Sequence, residues 1–219
     1  MITDYSEGSL PEDQSIWHYC QFAEFVSILQ RQALWFSRLG CLRDPFEGRS
    51  ERTYKSRLRE NSEAHTRKSC ANCWTIDHEE SELMWYAYAP TFGVVIRSTK
   101  SRLKASFMPP EVDRIVIGTV EYGTDWSKAP SSQPYAAAFK KRRHFQREQE
   151  LRAVIPYEYE YKHGTMIEPA HAGTLVPARL VLLIDEVWVA PNSPDWFTEV
   201  VELDLVKYGY CSIRVKRRA

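Results

Sequence analysis

The chain has 219 residues, 43% of them hydrophobic, and its 29 Lys+Arg balance 29 Asp+Glu. That apolar share supports a real core and excludes wholesale disorder, while a formal charge of zero excludes the strongly basic signature of a general nucleic-acid binder and leaves only local basic patches. No apolar run reaches the roughly 18 residues of a membrane helix, and the acidic opening MITDYSEGSLPEDQ reads as neither a signal nor a transit peptide, so a cytoplasmic protein with no membrane partner is expected.

Residues 1–14 read as a polar lead-in, and 15–219 as a single α+β domain with mixed or antiparallel sheets and helices packed on them. A strand is predicted over Ser15–Cys20, around Ile16-Trp17-His18-Tyr19. Phe22, Phe25, Val26, Ile28 and Leu29 form one apolar stripe at helical spacing over Gln21–Gln32. Leu34–Ser37 is a second short strand. Asp44-Pro45-Phe46-Glu47-Gly48 carries turn chemistry, since the residue before proline is pushed out of the helical region. Residues 49–68 are the most charged stretch and read as a solvated helix or a binding surface.

Further strands are predicted over Ser69–Ile76, Gly93–Arg97 and Val112–Tyr122, with a short helix over Ser81–Tyr88 capped by Ser81. Gly123–Gln133 is loop-like. Pro134 is tolerated in a first helical turn, so a helix is predicted through Phe145. Glu148–Ile155 is a strand, Ala178–Val189 runs into another, a short helix follows Asp195, and a strand over Ser212–Val215 ends the chain.

The five cysteines, at 20, 41, 70, 73 and 211, read as reduced thiols. His65, Cys70, Cys73 and His78 have zinc-ligand chemistry, but on a strand Cys70 and Cys73 point to opposite faces, so no metal site is predicted. The chain lacks GxGxxG, Walker, GxSxG and HExxH signatures, which argues against a Rossmann oxidoreductase, a P-loop NTPase, an α/β-hydrolase and a zincin.

Phe145–Ile155 is the most informative segment. Alternation along a strand puts Glu148, Glu150 and Arg152 on one face and Gln149, Leu151, Ala153 and Ile155 on the other, mostly apolar face. Two carboxylates so close repel, and one pKa is expected to rise while Arg152 keeps the other group ionised. Such a pair suits chemistry at an anomeric carbon, where a cationic sugar must be stabilised and a proton moved. The same pattern also fits an exposed strand face with an ion pair. His18 is a second candidate, as a donor to a ribose or amide or as a structural residue.

In order and spacing, Trp17-His18-Tyr19, Leu34-Trp35-Phe36-Ser37, Asp44-Pro45-Phe46-Glu47-Gly48, Leu83-Met84-Trp85-Tyr86, Gly93-Val94-Val95-Ile96 and Glu148-x-Glu150-x-Arg152 resemble the bacterial family catalogued as domain of unknown function 2971, from about Ile16 to Val215. The opening, a strand ending in His-Tyr, an amphipathic helix and a Leu-Trp-Phe strand, is also similar to that of ADP-ribosyltransferases, including the DNA-modifying toxin type. This second resemblance implies an ADP-ribosyltransferase-like fold using NAD as substrate, with Glu150 as the catalytic carboxylate and Glu148 aiding acceptor activation. It implies that His18 and Tyr19 contact NAD and that Tyr86 or Tyr88 flanks nicotinamide. Arg97 and Arg152 could then hold the diphosphate, since guanidinium forks match phosphate oxygens.

Lys140-Lys141-Arg142-Arg143-His144 could approach a nucleic-acid acceptor, or form a solvated helix face. The implied function is transfer of ADP-ribose to a macromolecule, nucleic acid or protein, by a toxin or phage-defence effector. The alternative is a non-catalytic nucleic-acid- or protein-binding module of the same fold.

Overall fold

The computed structural model describes residues 2–5, 10–44, 68–123, 135–156, 161–162, 165–166 and 172–218. The Pro45–Gly48 part of the turn motif, the charged 49–67 stretch, His65 and the 124–133 loop lie outside them. The architecture is α+β with a mixed sheet.

In chain order the strands are β1 Thr3–Asp4, β2 Ser15–Gln21, β3 Ala33–Arg38, β4 Cys70–Ile76, β5 Gly93–Thr99, β6 Val116–Thr119 and β7 Glu121–Gly123. They continue as β8 Lys140–Arg142, β9 Glu150–Ile155, β10 Tyr161–Lys162, β11 Thr165–Met166, β12 Gly173–Pro177, β13 Glu186–Val189 and β14 Arg214–Arg217. Helices run over Phe22–Arg31, Glu82–Tyr88, Lys100–Ser106, Leu180–Leu183 and Asp195–Lys207. Among the described residues no helix is long and apolar enough to cross a membrane.

The chain divides into two compact units, one built from residues 1–7, 35–73 and 113–175, the other from 8–34, 74–112 and 176–219. In the first unit β1 pairs parallel with β6, β6 antiparallel with β9, and β3 antiparallel with β4 through Ser37–Ala71 and Arg38–Cys70. Its core gathers Leu39, Ala71, Val116, Ala138, Phe139 and Val154. Tyr5 stacks on Phe139 with ring centroids 4.3 Å apart. Gly118 permits that approach, because a Cβ there would lie 2.8 Å from the Tyr5 Cβ and 3.2 Å from the Phe139 ring.

In the second unit β2 pairs antiparallel with β5, β5 with β13, and β13 runs parallel with β14. The Phe22–Arg31 helix buries Phe25, Ile28 and Leu29, the stripe its spacing predicts. The Glu24 carboxylate accepts from the Gln21 backbone N–H at 2.9 Å at its start, and Gln32 ends it in the left-handed region at φ 50°. Trp17, Trp85, Ala89, Val95 and Ala190 form a core against which Tyr19 and Trp188 pack.

Several elements differ from the sequence reading. The predicted strand over Val112–Tyr122 is interrupted at Val120, whose N–H donates to the Glu150 carbonyl at 2.9 Å. The predicted 134–145 helix is instead a 3-10 turn over Ala136–Phe139, strand β8, and a 3-10 helix over Arg143–Glu148. Parallel pairing of β8 with β7 and burial of Lys140 and Lys141 override the helical pattern there. The short helix predicted after Asp195 is present and runs to 13 residues, Asp195–Lys207.

Candidate active site

The acid pair of the sequence reading lies in the first unit, where β7, β8 and β9 converge. Parallel pairing sets Tyr122 of β7 beside Lys141 of β8. The chain then returns through the Arg143–Glu148 3-10 helix and turns at Gln149, whose φ of 41° lies in the left-handed region. That turn ends strand alternation before it starts, so β9 begins at Glu150 rather than Glu148. Glu148 therefore reaches the cluster from the end of a 3-10 helix, not from the strand face that alternation assigned to it.

Lys141 Nζ donates to Glu148 Oε2 and to Glu150 Oε1, each at 2.6 Å. The other Glu150 oxygen accepts from Arg152 Nε at 2.7 Å, and Arg152 NH1 donates to the Ala138 carbonyl at 2.7 Å. The Glu150 backbone N–H donates to the Tyr122 hydroxyl at 2.8 Å. Lys141 Nζ also stands 4.7 Å from the Phe145 ring centroid, a cation–π distance.

This cluster is interior, which corrects the expectation that the Glu148–Glu150–Arg152 face lies away from the core. Arg152 has no exposed surface, the Glu150 side chain keeps 6%, and every residue of β9 is buried. Successive residues of a strand point to opposite faces, and all six residues of β9 are buried, so both of its faces are covered. Buried charges demand partners, and two carboxylates, one ammonium and one guanidinium balance to zero. Arg152 is thus turned inward onto Glu150, and its Nε and NH1 are spent on protein acceptors.

The two carboxyls titrate apart. Burial alone would raise Glu150, but the Arg152 and Lys141 charges outweigh it and hold this carboxyl well below the usual carboxylate range. Burial raises Glu148, and its contact with Glu150 raises it further against the pull of Lys141. The arrangement is one permanent carboxylate beside one protonatable carboxyl, the division of roles that acid–base chemistry uses. Burial and then the Glu150 charge likewise raise the Tyr122 phenol.

Just ahead of Glu150 a cleft of ≈ 660 Å³ is lined by Arg143, His144, Gln146, Arg147 and Gln149. Its donors suit an anionic ligand. The neighbouring Arg142 grips the buried Asp44 carboxylate with two bonds, at 3.1 and 2.7 Å, fixing the start of the 3-10 helix. The basic run 140–144 therefore divides: Lys140, Lys141 and Arg142 serve structure, and Arg143 and His144 face the cleft.

The remaining candidates belong to the second unit. Tyr19 and Arg97 lie on one face of its sheet, because Arg97 pairs with Trp17 two residues before Tyr19; His18 points to the opposite face. The His18 ring lies 5.1 Å from that of Trp74. The Tyr19 hydroxyl accepts from the Ser81 N–H at 2.6 Å, its ring meets Trp85 edge-on at 5.3 Å, and burial raises its phenol. Tyr86 is 84% exposed. The Tyr88 carbonyl accepts from the Gln21 side chain at 2.9 Å. Arg97 NH1 donates to Asp185 at 3.0 Å and to Glu186 at 3.3 Å, and its guanidinium lies 5.7 Å from the Trp17 ring centroid.

Sequence reasoning placed Lys141 in the basic run read as facing a nucleic-acid acceptor, not between the two carboxyls, and did not single out Tyr122. The available signal for Lys141 was a lysine close in sequence to an acid pair that a covered strand must bury; the signal for Tyr122 was only the parallel register of β7 and β8.

No family model matches the chain, and no curated protein matches it. Solved structures of Thermus sp. 2.9 DarT are similar to it. The complex with carba-NAD+ is 15% identical over 95% of this chain and 97% of that chain, with a TM-score of 0.46. The complex with NAD+ is 14% identical over 96% and 98%, with a TM-score of 0.45. The complex with ADP-ribosylated ssDNA is 14% identical over 96% of both chains, with a TM-score of 0.47.

Proposed function

We propose that this protein is an ADP-ribosyltransferase-like enzyme that cleaves NAD and transfers ADP-ribose to a macromolecular acceptor, as a toxin or phage-defence effector. One observation carries the reading: a carboxylate kept ionised by two cations, Glu150, stands beside a carboxyl that can take up a proton, Glu148. In the reaction the bond between nicotinamide and the ribose anomeric carbon breaks, and neutral nicotinamide leaves with the electron pair. Positive charge builds on the sugar, where Glu150 stabilises it more in the transition state than in the ground state. A nucleophilic oxygen or nitrogen of the acceptor bonds to the anomeric carbon, and its proton passes to Glu148.

Arg152 and Lys141 position Glu150. The cleft of Arg143, His144 and Arg147 suits the phosphates of a nucleic-acid acceptor. His18, Tyr19, Tyr86, Tyr88 and Arg97 enter as NAD contacts through the family resemblance.

A second reading, a non-catalytic nucleic-acid-binding module, is favoured by one feature: both Glu150 oxygens are occupied by protein cations. Nicotinamide release from NAD decides between them. Wild-type protein should release nicotinamide, and Glu150→Gln should lower the rate about a hundredfold or more with the near-UV circular dichroism intact. Unchanged release by folded Glu150→Gln overturns the enzymatic reading. Absence of NAD turnover in the wild type, together with salt-sensitive binding to single-stranded DNA or RNA, supports the binding module.

A further inference from the structure

The cluster around Glu150 holds one polar proton that the protein leaves unspent. The parallel register of β7 and β8 sets Tyr122 beside Lys141, and the Tyr122 hydroxyl accepts from the Glu150 backbone N–H at 2.8 Å. That bond takes up a lone pair of the hydroxyl and fixes where its oxygen sits. The phenolic proton itself has no acceptor among the described residues. The neighbouring cations differ: Lys141 donates to Glu148 and Glu150, and Arg152 donates to Glu150 and to the Ala138 carbonyl.

Tyr122 is half-buried. Burial and then the Glu150 charge raise its phenol, so the hydroxyl keeps its proton at neutral pH and stays a donor. The same charge effect means that the Glu150 carboxylate lies close to the hydroxyl. A half-buried donor without a partner carries a desolvation cost that a bound acceptor removes.

The chemistry of the two groups says what ligand atom fits between them. An ionised carboxylate only accepts, and the free proton of Tyr122 only donates. A carbonyl or phosphate oxygen would take the Tyr122 proton but gain nothing from Glu150. An ammonium would bind Glu150 but has no lone pair for Tyr122. An alcohol hydroxyl satisfies both, because it accepts and donates at once. Carboxylate oxygens carry two lone pairs each, so Glu150 can accept from such a hydroxyl while it keeps Lys141 and Arg152.

We propose that Tyr122 is a further catalytic residue, whose phenolic O–H donates to the 2′-hydroxyl of the nicotinamide ribose while that hydroxyl donates to Glu150. This rests on the ADP-ribosyl transfer proposed above, in which Glu150 faces the anomeric carbon; the 2′-hydroxyl sits on the next carbon of the ring. Tyr122 gives up no proton in the reaction. Its bond orients the sugar, so that the anomeric carbon is held against the carboxylate as positive charge builds there.

Nicotinamide release by wild type and Tyr122→Phe, each given NAD and NAD lacking the 2′-hydroxyl of its nicotinamide ribose, tests this. On NAD, Tyr122→Phe should lower kcat/KM about tenfold. On the deoxy dinucleotide the two proteins should agree within about twofold, because the group that Tyr122 contacts is gone. A purely structural role, such as holding the Glu150 backbone, would lower both substrates by the same factor. Phenylalanine keeps the ring, and the ratio between substrates is taken within one preparation, so partial unfolding of the variant leaves it unchanged. Equal factors on the two dinucleotides, or no loss on NAD, overturn the role of Tyr122 and leave the enzymatic reading standing. A wild type that releases no nicotinamide from NAD overturns both.

Discussion

Lys141 Nζ lies 2.6 Å from Glu150 Oε1, with both side chains more than nine-tenths buried. Nine residues separate the two in the chain, and a left-handed turn at Gln149 brings them together. Most of the local chemistry depends on this contact, because Lys141 also holds Glu148 and so sets the spacing of the acid pair.

Removing the ammonium leaves two buried carboxyls with one remaining cation. Lys141→Met is expected to destabilise the fold by about 3–5 kcal/mol, the range for breaking a buried pair from one side. The charge-balanced Lys141→Met/Glu148→Gln variant should lose less than the sum of its parts, since it leaves the Glu150–Arg152 bridge neutral. Urea unfolding of the four proteins in a double-mutant cycle gives the coupling, and strict additivity contradicts a shared cluster.

The two acids bend the stability curve in opposite senses. Glu150, depressed in the folded state, contributes stability that is complete above its unfolded pKa near 4.5 and is lost as pH falls below that value. Glu148, raised in the folded state, favours folding in its protonated form. Its contribution is complete below about 4.5 and is lost as pH rises through its folded pKa. Unfolding titrations between acid and neutral pH should therefore show Glu150→Gln with a shallower acid-side decline. Glu148→Gln should lose the part of the neutral-side decline that Glu148 causes. Parallel curves for wild type and both variants would refute the assignment.

Gln149 holds φ at 41°, a region that costs a residue with a Cβ roughly 1 kcal/mol and costs glycine little. Gln149→Gly should be neutral or stabilising by up to about 1 kcal/mol, and the β-branched Gln149→Val should destabilise by more than that. Thermal melts of the two variants, read against wild type, give the order.

Arg143 and Arg147 face the cleft. If the acceptor is single-stranded nucleic acid, each of Arg143→Gln and Arg147→Gln should lower the slope of log affinity against log salt by roughly 0.7. Fluorescence anisotropy across a salt series reads that slope. A slope unchanged in both variants removes these residues from phosphate contact.

Much of the scaffold was legible in the residues themselves. The stripe Phe25, Ile28 and Leu29 specified its helix, and Gly93–Arg97 its strand, because local periodicity and burial agree there. The grouping of Glu148, Glu150 and Arg152 was also visible, although Glu148 arrives by a different route. The helix predicted over 134–145 does not form because only pairing with β7, which local pattern does not show, makes Lys140–Arg142 a strand.

Residue order alone thus determined which acids and bases lie near one another along the chain and which segments carry a periodic apolar face, because those properties are local. Tertiary structure decided that β9 is covered on both sides, that Lys141 stands between two carboxyls, and that Arg152 turns inward. Alternation says which side chains share a face. Whether that face meets water or protein depends on strands and helices brought in from elsewhere in the chain, and with it the ionisation of every group the face carries.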